Sequence, residues 1–313
     1  MSIHFIKAGL ETSIQDLGRF GQMHNGISQS GAMDPIAMQM ANWLVSNPLD
    51  SPVIEITLMG PTVQFKSAMS IAICGAQFVC YLNDSLVPND ETIQVNKDDV
   101  LSFKKLQNGI RAYLAFSGII ATGQGGLKPV LDSYSTHLTA NFGGYHGRSF
   151  KDNDMLIINH CQQPEVRIIA TQFKLHYSGN YLLRCVPSVE SESFNEEQCN
   201  SFYSQSFTIT PASNRMGIRL FAKPIIFEKP IQIISSGLTQ GSIQIPPSGQ
   251  PIISSVDGQT IGGYPRIANV ISADLPILGQ LKAKDKVRFV LIDSLQAADI
   301  FTAKQCYLDL YSQ

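Results

Sequence analysis

At 313 residues, with a formal charge of −2 and a pI near 6.3, the chain has room for one large or two medium domains. It carries no electrostatic footprint for nucleic acid or for an anionic membrane surface, and no window approaches the roughly 20 apolar residues of a membrane span. Only 15% of residues are charged and 44% are hydrophobic, against roughly 25% charged in an average soluble domain; an obligate protein partner or self-association would account for this, and a compact monomer rich in Ser, Gln and Asn is the alternative.

The start, Met1-Ser2-Ile3-His4, lacks the basic and apolar regions of a signal peptide. Six scattered cysteines (74, 80, 161, 185, 199 and 306) show no zinc spacing and read as reduced, buried thiols. A cytoplasmic protein is expected. Asp34-Pro35 opens a helix, with Asp as N-cap and Pro at its first position. Ile36, Met40, Trp43 and Leu44 fall on one face of it, Trp43 as core, and Asn47-Pro48 ends it. Period-two alternation then marks strands. Residues 70–82 are strand-like, followed by an Asn83-Asp84 turn. In 109–118, Ile110, Ala112, Leu114 and Phe116 share one face, and Arg111, Tyr113 and Ala115 share the other. The polar stretch 159–165 is the best domain boundary. Beyond it come an acidic helix over 188–204 and strands at 232–234, 242–245 and 252–256, with a Pro247-Ser248-Gly249 turn between the last two. Val287, Phe289 and Leu291 mark a late strand. A closing helix over 294–311 turns Ile300, Phe301 and Leu308 inward. Many short strands with few helices predict a mainly β barrel or sandwich.

Several islands break this regular pattern. Gln15-Asp16-Leu17-Gly18-Arg19 places a carboxylate three residues from an arginine, so that the two can pair and fix the guanidinium fork for an anion; an ordinary surface pair is the other reading. Asp34 is either a helix cap or a pocket carboxylate, and Asn42 can read a polar group. Glu55, inside Val53-Ile54-Glu55-Ile56-Thr57, must be solvated or paired, by a salt bridge or at a site. Ser213-Asn214-Arg215-Met216-Gly217-Ile218-Arg219 sets two arginines four apart, for an anionic ligand, an acidic partner or internal salt bridges. Asp257-Gly258-Gln259-Thr260-Ile261-Gly262-Gly263-Tyr264-Pro265 combines amide, hydroxyl and phenol groups with glycines that allow close approach, and Gln240 and Gln244 on the preceding hairpin can reach it. A buried polar turn is the alternative. No Walker motif, HExxH or nucleophile elbow is present.

These islands, together with Gly26-Ile27-Ser28-Gln29-Ser30-Gly31-Ala32-Met33-Asp34, Glu55-Ile56-Thr57-Leu58-Met59-Gly60-Pro61, Ser135-Thr136 and Gly143-Gly144, resemble in order and spacing the family of the 5-oxoprolinase C subunit. That family also goes by the names biotin-dependent carboxyltransferase, allophanate hydrolase subunit 2 and antagonist of a sporulation histidine-kinase inhibitor. The resemblance runs from about Ile6 to about Val290. It implies two packed cyclophilin-like β-barrel domains, divided here as 1–163 and 164–313. It further implies an ATP-dependent (Mg2+) complex in which the B and C subunits together activate 5-oxoproline and the A subunit finishes ring opening to glutamate. The first alternative is carboxyl transfer to urea or a related amide, with biotin carried elsewhere; the second is a non-enzymatic antagonist that binds a kinase inhibitor. The expected catalytic residues are Asp16, Arg19, Asp34 and Arg215. Gln15, Asn42, Glu55, Arg219, Gln244, Asp257, Gln259, Thr260, Gly263 and Tyr264 are expected to bind substrate or cofactor, with no resident metal. Tyr134, His146 and Asn153-Asp154 depart from the usual family pattern of Arg, Asp and Gly-Asp at those places, which points to altered activity or to drift on a solvent loop.

Overall fold

The computed structural model describes residues 1–121, 127–161, 163–227 and 233–309, with residues 307–309 by backbone alone. The chain is mainly β and divides into two compact units, 1–19 with 30–177 and 20–29 with 178–313. Residues 164–177 thus belong with the first unit, beyond the expected division at 163/164. The reason is local pairing: Thr92 N donates to Arg167 O at 2.9 Å and Ile169 N to Asp90 O at 3.0 Å, and the Arg167 guanidinium donates to Trp43 O at 2.7 Å.

The first unit is built on a ten-stranded sheet among the described residues. Its spine is the antiparallel pair Met69–Leu82 and Val100–Phe116, with Ile71 opposite Phe116 and Leu82 opposite Leu101. The other edge of Val100–Phe116 pairs at residues 111–114 with Val53–Thr57, which leads to Glu11–Gln15, and at residues 100–102 with Thr62–Phe65, which leads through Ser2–Lys7 and Met155–Asn159 to Ile119–Ile120. Ala112, Leu114 and Phe116 join Ile3, Phe5, Ile54 and Ile71 in the core. The opposite face, Arg111, Tyr113 and Ala115, is buried as well, because the helix Pro35–Leu44 packs on these two long strands. That helix starts as predicted: Asp34 caps it by accepting from Ala37 N at 3.1 Å, with Pro35 in the first turn. Trp43, expected in the core, is half-buried and lies under the Arg167 guanidinium, 4.9 Å from its ring centre.

The second unit contains a closed seven-strand barrel, in the order Asn180–Pro187, Arg266–Val270, Ser242–Gln244, Ile252–Ser254, Gly217–Phe221, Phe207–Ile209 and Lys286–Leu291. Val287 and Phe289 point into its core and Leu291 is exposed. The Pro247-Ser248-Gly249 turn closes by a 2.9 Å bond from Gly249 N to Pro246 O. The acidic helix is shorter than expected, Glu196–Ser204, and opens on a reciprocal Asn195/Gln198 capping box; its Phe202 stacks on Phe289 with ring centres 4.7 Å apart. A 3-10 helix over Ser272–Gln280 has no counterpart in the sequence reading. The closing helix Ser294–Asp309 leaves Ile300 half-buried and Phe301 exposed. Residue 232, the Leu308 side chain and residue 311 lie outside the described residues. All six cysteines are free thiols; Cys74, Cys80 and Cys185 are buried, but Cys306 is exposed. No helix among the described residues is long and apolar enough to cross a membrane.

Candidate functional site

In the first unit the Gln15–Arg19 island is a buried polar knot. The Asp16 carboxylate accepts from Gly18 N at 2.8 Å, Ser133 Oγ at 2.7 Å, Tyr134 N at 2.5 Å and the Ser135 hydroxyl. Three of these donors converge on Oδ1, and the Tyr134 N–H reaches Oδ2. Asp16, expected to be catalytic, holds the 133–135 segment in this structure. Arg19, expected to pair with Asp16, donates instead through Nε to Val130 O at 3.1 Å and through Nη2 to Ser135 O, with its guanidinium over the Phe142 ring. Gln15 Nε2 donates to Ser13 Oγ and Thr136 O. The glycine pair answers to the same knot. A Cβ on Gly143 would run into Arg19 Nη2 and Ser135 O, and one on Gly144 into the Thr136 side chain.

A second knot lies between the sheet and the helix Pro35–Leu44. Glu55, opposite Tyr113 in register, accepts from Tyr113 Oη at 2.8 Å and from Met33 N at 2.9 Å, with Arg111 Nε at 3.6 Å. Tyr113 Oη accepts from Asp34 N at 2.7 Å, and Tyr177 Oη donates to Asp34 Oδ2 at 3.1 Å. Burial, and then the Glu55 charge, push the Tyr113 phenol well above its usual range, while burial and then Asp34 do the same for Tyr177. Both phenols therefore stay protonated donors to carboxylates. Asp34 is cap and network member at once. Asn42, expected to bind a ligand, ties off the helix end, donating to Ser51 O at 2.7 Å and Leu49 O at 3.3 Å. Arg111, Tyr113, Tyr177 and Ser133 escape a reading of the sequence, since each is an ordinary strand or loop residue until the register sets it beside a carboxylate.

The departures from the family pattern are also placed. Tyr134 contributes its backbone N–H to Asp16. His146 and Asn153 sit at positive φ, and Asp154 makes a two-armed pair with Arg148, 2.6 and 3.0 Å.

The second unit holds a cavity of about 220 Å³ lined by Asn214, Met216, Gly217, Arg219, Leu238, Gln244, Ile252, Ser254, Gln259 and Tyr264. Four of the expected binding residues meet here: Arg219, Gln244, Gln259 and Tyr264. Gln240 is not among the lining residues. Arg215 is not either: its Nε donates to Asp257 Oδ2 at 2.8 Å and its Nη2 to Asp257 Oδ1 at 3.3 Å, both residues buried. Of the readings open for the two arginines, the internal salt bridge holds for Arg215, which with Asp257 pins the turn leading into Gln259. Thr260 is buried, and its carbonyl accepts from Leu238 N at 2.8 Å. Gly262 lets the amides converge, since a Cβ there would lie 2.6 Å from Gln244 Nε2 and 3.3 Å from Gln259 Nε2; Gly263, next in the chain, lies beside Ser235.

Two features make this cavity chemically poised. Gln244 is 5% exposed, and its Nε2 is buried without a hydrogen-bond partner among the described residues; such a donor costs free energy until an acceptor arrives. Arg184, Arg215 and Arg266 of this unit each grip a carboxylate, whereas Arg219 makes no ion pair among the described residues and is exposed. A buried amide N–H and one guanidinium fit an amide or ureido carbonyl and a carboxylate. No cluster of three or more metal-ligating side chains occurs among the described residues.

The family described as carboxyltransferase domain, subdomain A and B, matches residues 25–291. The 5-oxoprolinase C subunit of Haemophilus influenzae is 34% identical over 299 residues, 95% of this chain and 93% of that protein; the Escherichia coli protein of the same name is 34% identical over 98% and 96%. Among solved structures, the K. lactis urea amidolyase superposes with a TM-score of 0.92 at 29% identity, covering 99% of this chain and 20% of that one. The chain belongs to the carboxyltransferase-domain family, subdomains A and B, and within it is similar over nearly its full length to the C subunits of 5-oxoprolinase.

Proposed function

We propose that this chain is the C subunit of a 5-oxoprolinase. It binds the lactam in the second-unit cavity, a B-subunit homologue holds ATP with Mg2+, an A-subunit homologue completes opening to glutamate, and the assembly works in the cytoplasm. The near-full-length relatives support the reaction. The observation in the site that carries the reading is the buried, unpartnered Gln244 Nε2, a donor for the lactam carbonyl oxygen. Gln259 at the rim can accept from the ring N–H, and Arg219 can take the carboxylate as a fork. An unactivated lactam is a poor electrophile, and ATP supplies the phosphoryl group that turns its carbonyl oxygen into a leaving group. This chain's part is orientation. Accepting from the ring N–H moves electron density toward that oxygen, and the Gln244 donor fixes its direction. Asp16, Arg19, Asp34, Glu55, Asn42 and Arg215 serve by holding loops and turns within their own units.

The test is 5-oxoproline-dependent ATP hydrolysis by the reconstituted complex. Gln244→Ala should lower kcat/KM on the order of 10²-fold, the scale for one lost positioned donor. Gln244→Glu, of similar size but without the N–H, should lose as much. Full turnover by variants that still assemble removes the site, and a wild-type complex indifferent to 5-oxoproline removes the reaction. The likeness to urea amidolyase favours a second reading, carboxyl transfer to urea or a related amide from biotin on a separate carrier. The same donors suit a ureido carbonyl, and carboxylation of urea in the presence of a biotinylated carrier would select it.

A further inference from the structure

A second cavity of about 390 Å³ adjoins the first and shares Arg219, Ile252 and Tyr264 with it. Its chemistry differs. Phe221, Pro246 and Pro251 give it apolar walls, and Thr210, also in its lining, has a buried hydroxyl without a hydrogen-bond partner among the described residues. Polar donors therefore crowd one end, an apolar hollow with one unsatisfied hydroxyl among the described residues forms the other, and Arg219 lines both. Ligand sites usually span about 300–1,000 Å³. A single five-membered ring with one carboxylate, placed in the first cavity as proposed above, would leave the second unused.

We infer that the two cavities form one site, and that it takes 5-oxoproline extended at its carboxyl group, a 5-oxoprolyl-amino acid, in preference to 5-oxoproline itself. This rests on the proposed lactam reading of the first cavity. The lactam ring lies at Gln244. The carboxyl carbon, now an amide, passes Arg219, and the added residue lies over Phe221 and Pro251. Thr210 Oγ1 can donate to the terminal carboxylate, and Arg219 can pair with it. The extension exploits apolar surface that the shorter ligand leaves wet.

The experiment is calorimetric titration of the full chain, and of its complex with the A- and B-subunit homologues, with 5-oxoproline and with 5-oxoprolyl-leucine. The leucyl compound should bind at least about tenfold tighter, because a buried branched side chain contributes at least that much. Ser248→Trp, on the exposed turn lining the second cavity, should bring the affinity ratio toward one by filling the hollow. Thr210→Val, which keeps the side-chain shape, should lower the ratio by a smaller factor. Equal affinities, or tighter binding of 5-oxoproline, overturn the inference and leave the lactam reading standing. A tenfold ratio that Ser248→Trp leaves untouched also overturns it, because the extension then lies elsewhere. Binding of neither compound by the chain or by the complex removes both readings.

Discussion

Arg215 shows how one residue type serves two ends. A planar fork suits a ligand carboxylate, and it suits Asp257 equally well; in this chain Asp257 takes it, with both partners nearly inaccessible. Removing one member of a buried pair strands the other, so Arg215→Ala should cost about 3–5 kcal/mol, read as a lowered denaturant midpoint. Arg215→Lys should recover little, since a point charge cannot replace two parallel bonds. If both variants keep wild-type stability, the pair is not structural. Four of the ten cavity residues, Arg219, Gln244, Gln259 and Tyr264, are legible in the sequence as polar groups within three residues of a glycine. Asp16 and Arg215 stand out in it as special, but their roles do not. Residue type states what a side chain can bind, while register and loop path decide whether the chain itself supplies the partner.

At the level of elements, one ion pair joins the segment after Asn180–Pro187 to the strand Arg266–Val270. Arg266 donates through Nε to Glu190 Oε2 at 2.6 Å and through Nη2 to Oε1, which holds the Glu190 carboxyl below its ordinary value of 4.5. For an acid whose folded value is depressed, the stabilisation is fully present above the unfolded value and lost as pH falls through the folded one. The stability difference between wild type and Glu190→Gln should therefore be constant near neutrality and shrink below about pH 4.5; urea titrations at several pH values measure it, and a constant difference down to the acid transition would contradict it. Strands and the capped helix Pro35–Leu44 are readable because period-two alternation and the Asp-Pro start are local signals. The 3-10 helix Ser272–Gln280 is not. With Pro276 inside it, it lacks a helical apolar stripe, and its fixed form follows from burial of Ala273, Leu278 and Gln280, which only the folded barrel provides.

For the whole molecule, the low charge content goes with exposed apolar side chains: Val189, Ile234 and Leu295 are each more than three-quarters exposed. Co-expression with a B-subunit homologue should move both proteins to one earlier peak in size-exclusion chromatography, and separate elution at about micromolar concentration, a typical threshold for weak pairs, would argue against the assembly. The division into units is readable only roughly, because no composition shift marks residues 20–29 as belonging with 178–313. That assignment has a consequence for synthesis. A ribosome releases residues 20–29 early, embedded between two pieces of the first unit, while the rest of the second unit is still untranslated. The short segment must wait, solvated and without its later neighbours, until the distal half emerges. A cut between 177 and 178 would leave the distal fragment lacking it: the units are discontinuous in sequence, and residues 178–313 complete a unit begun at residues 20–29.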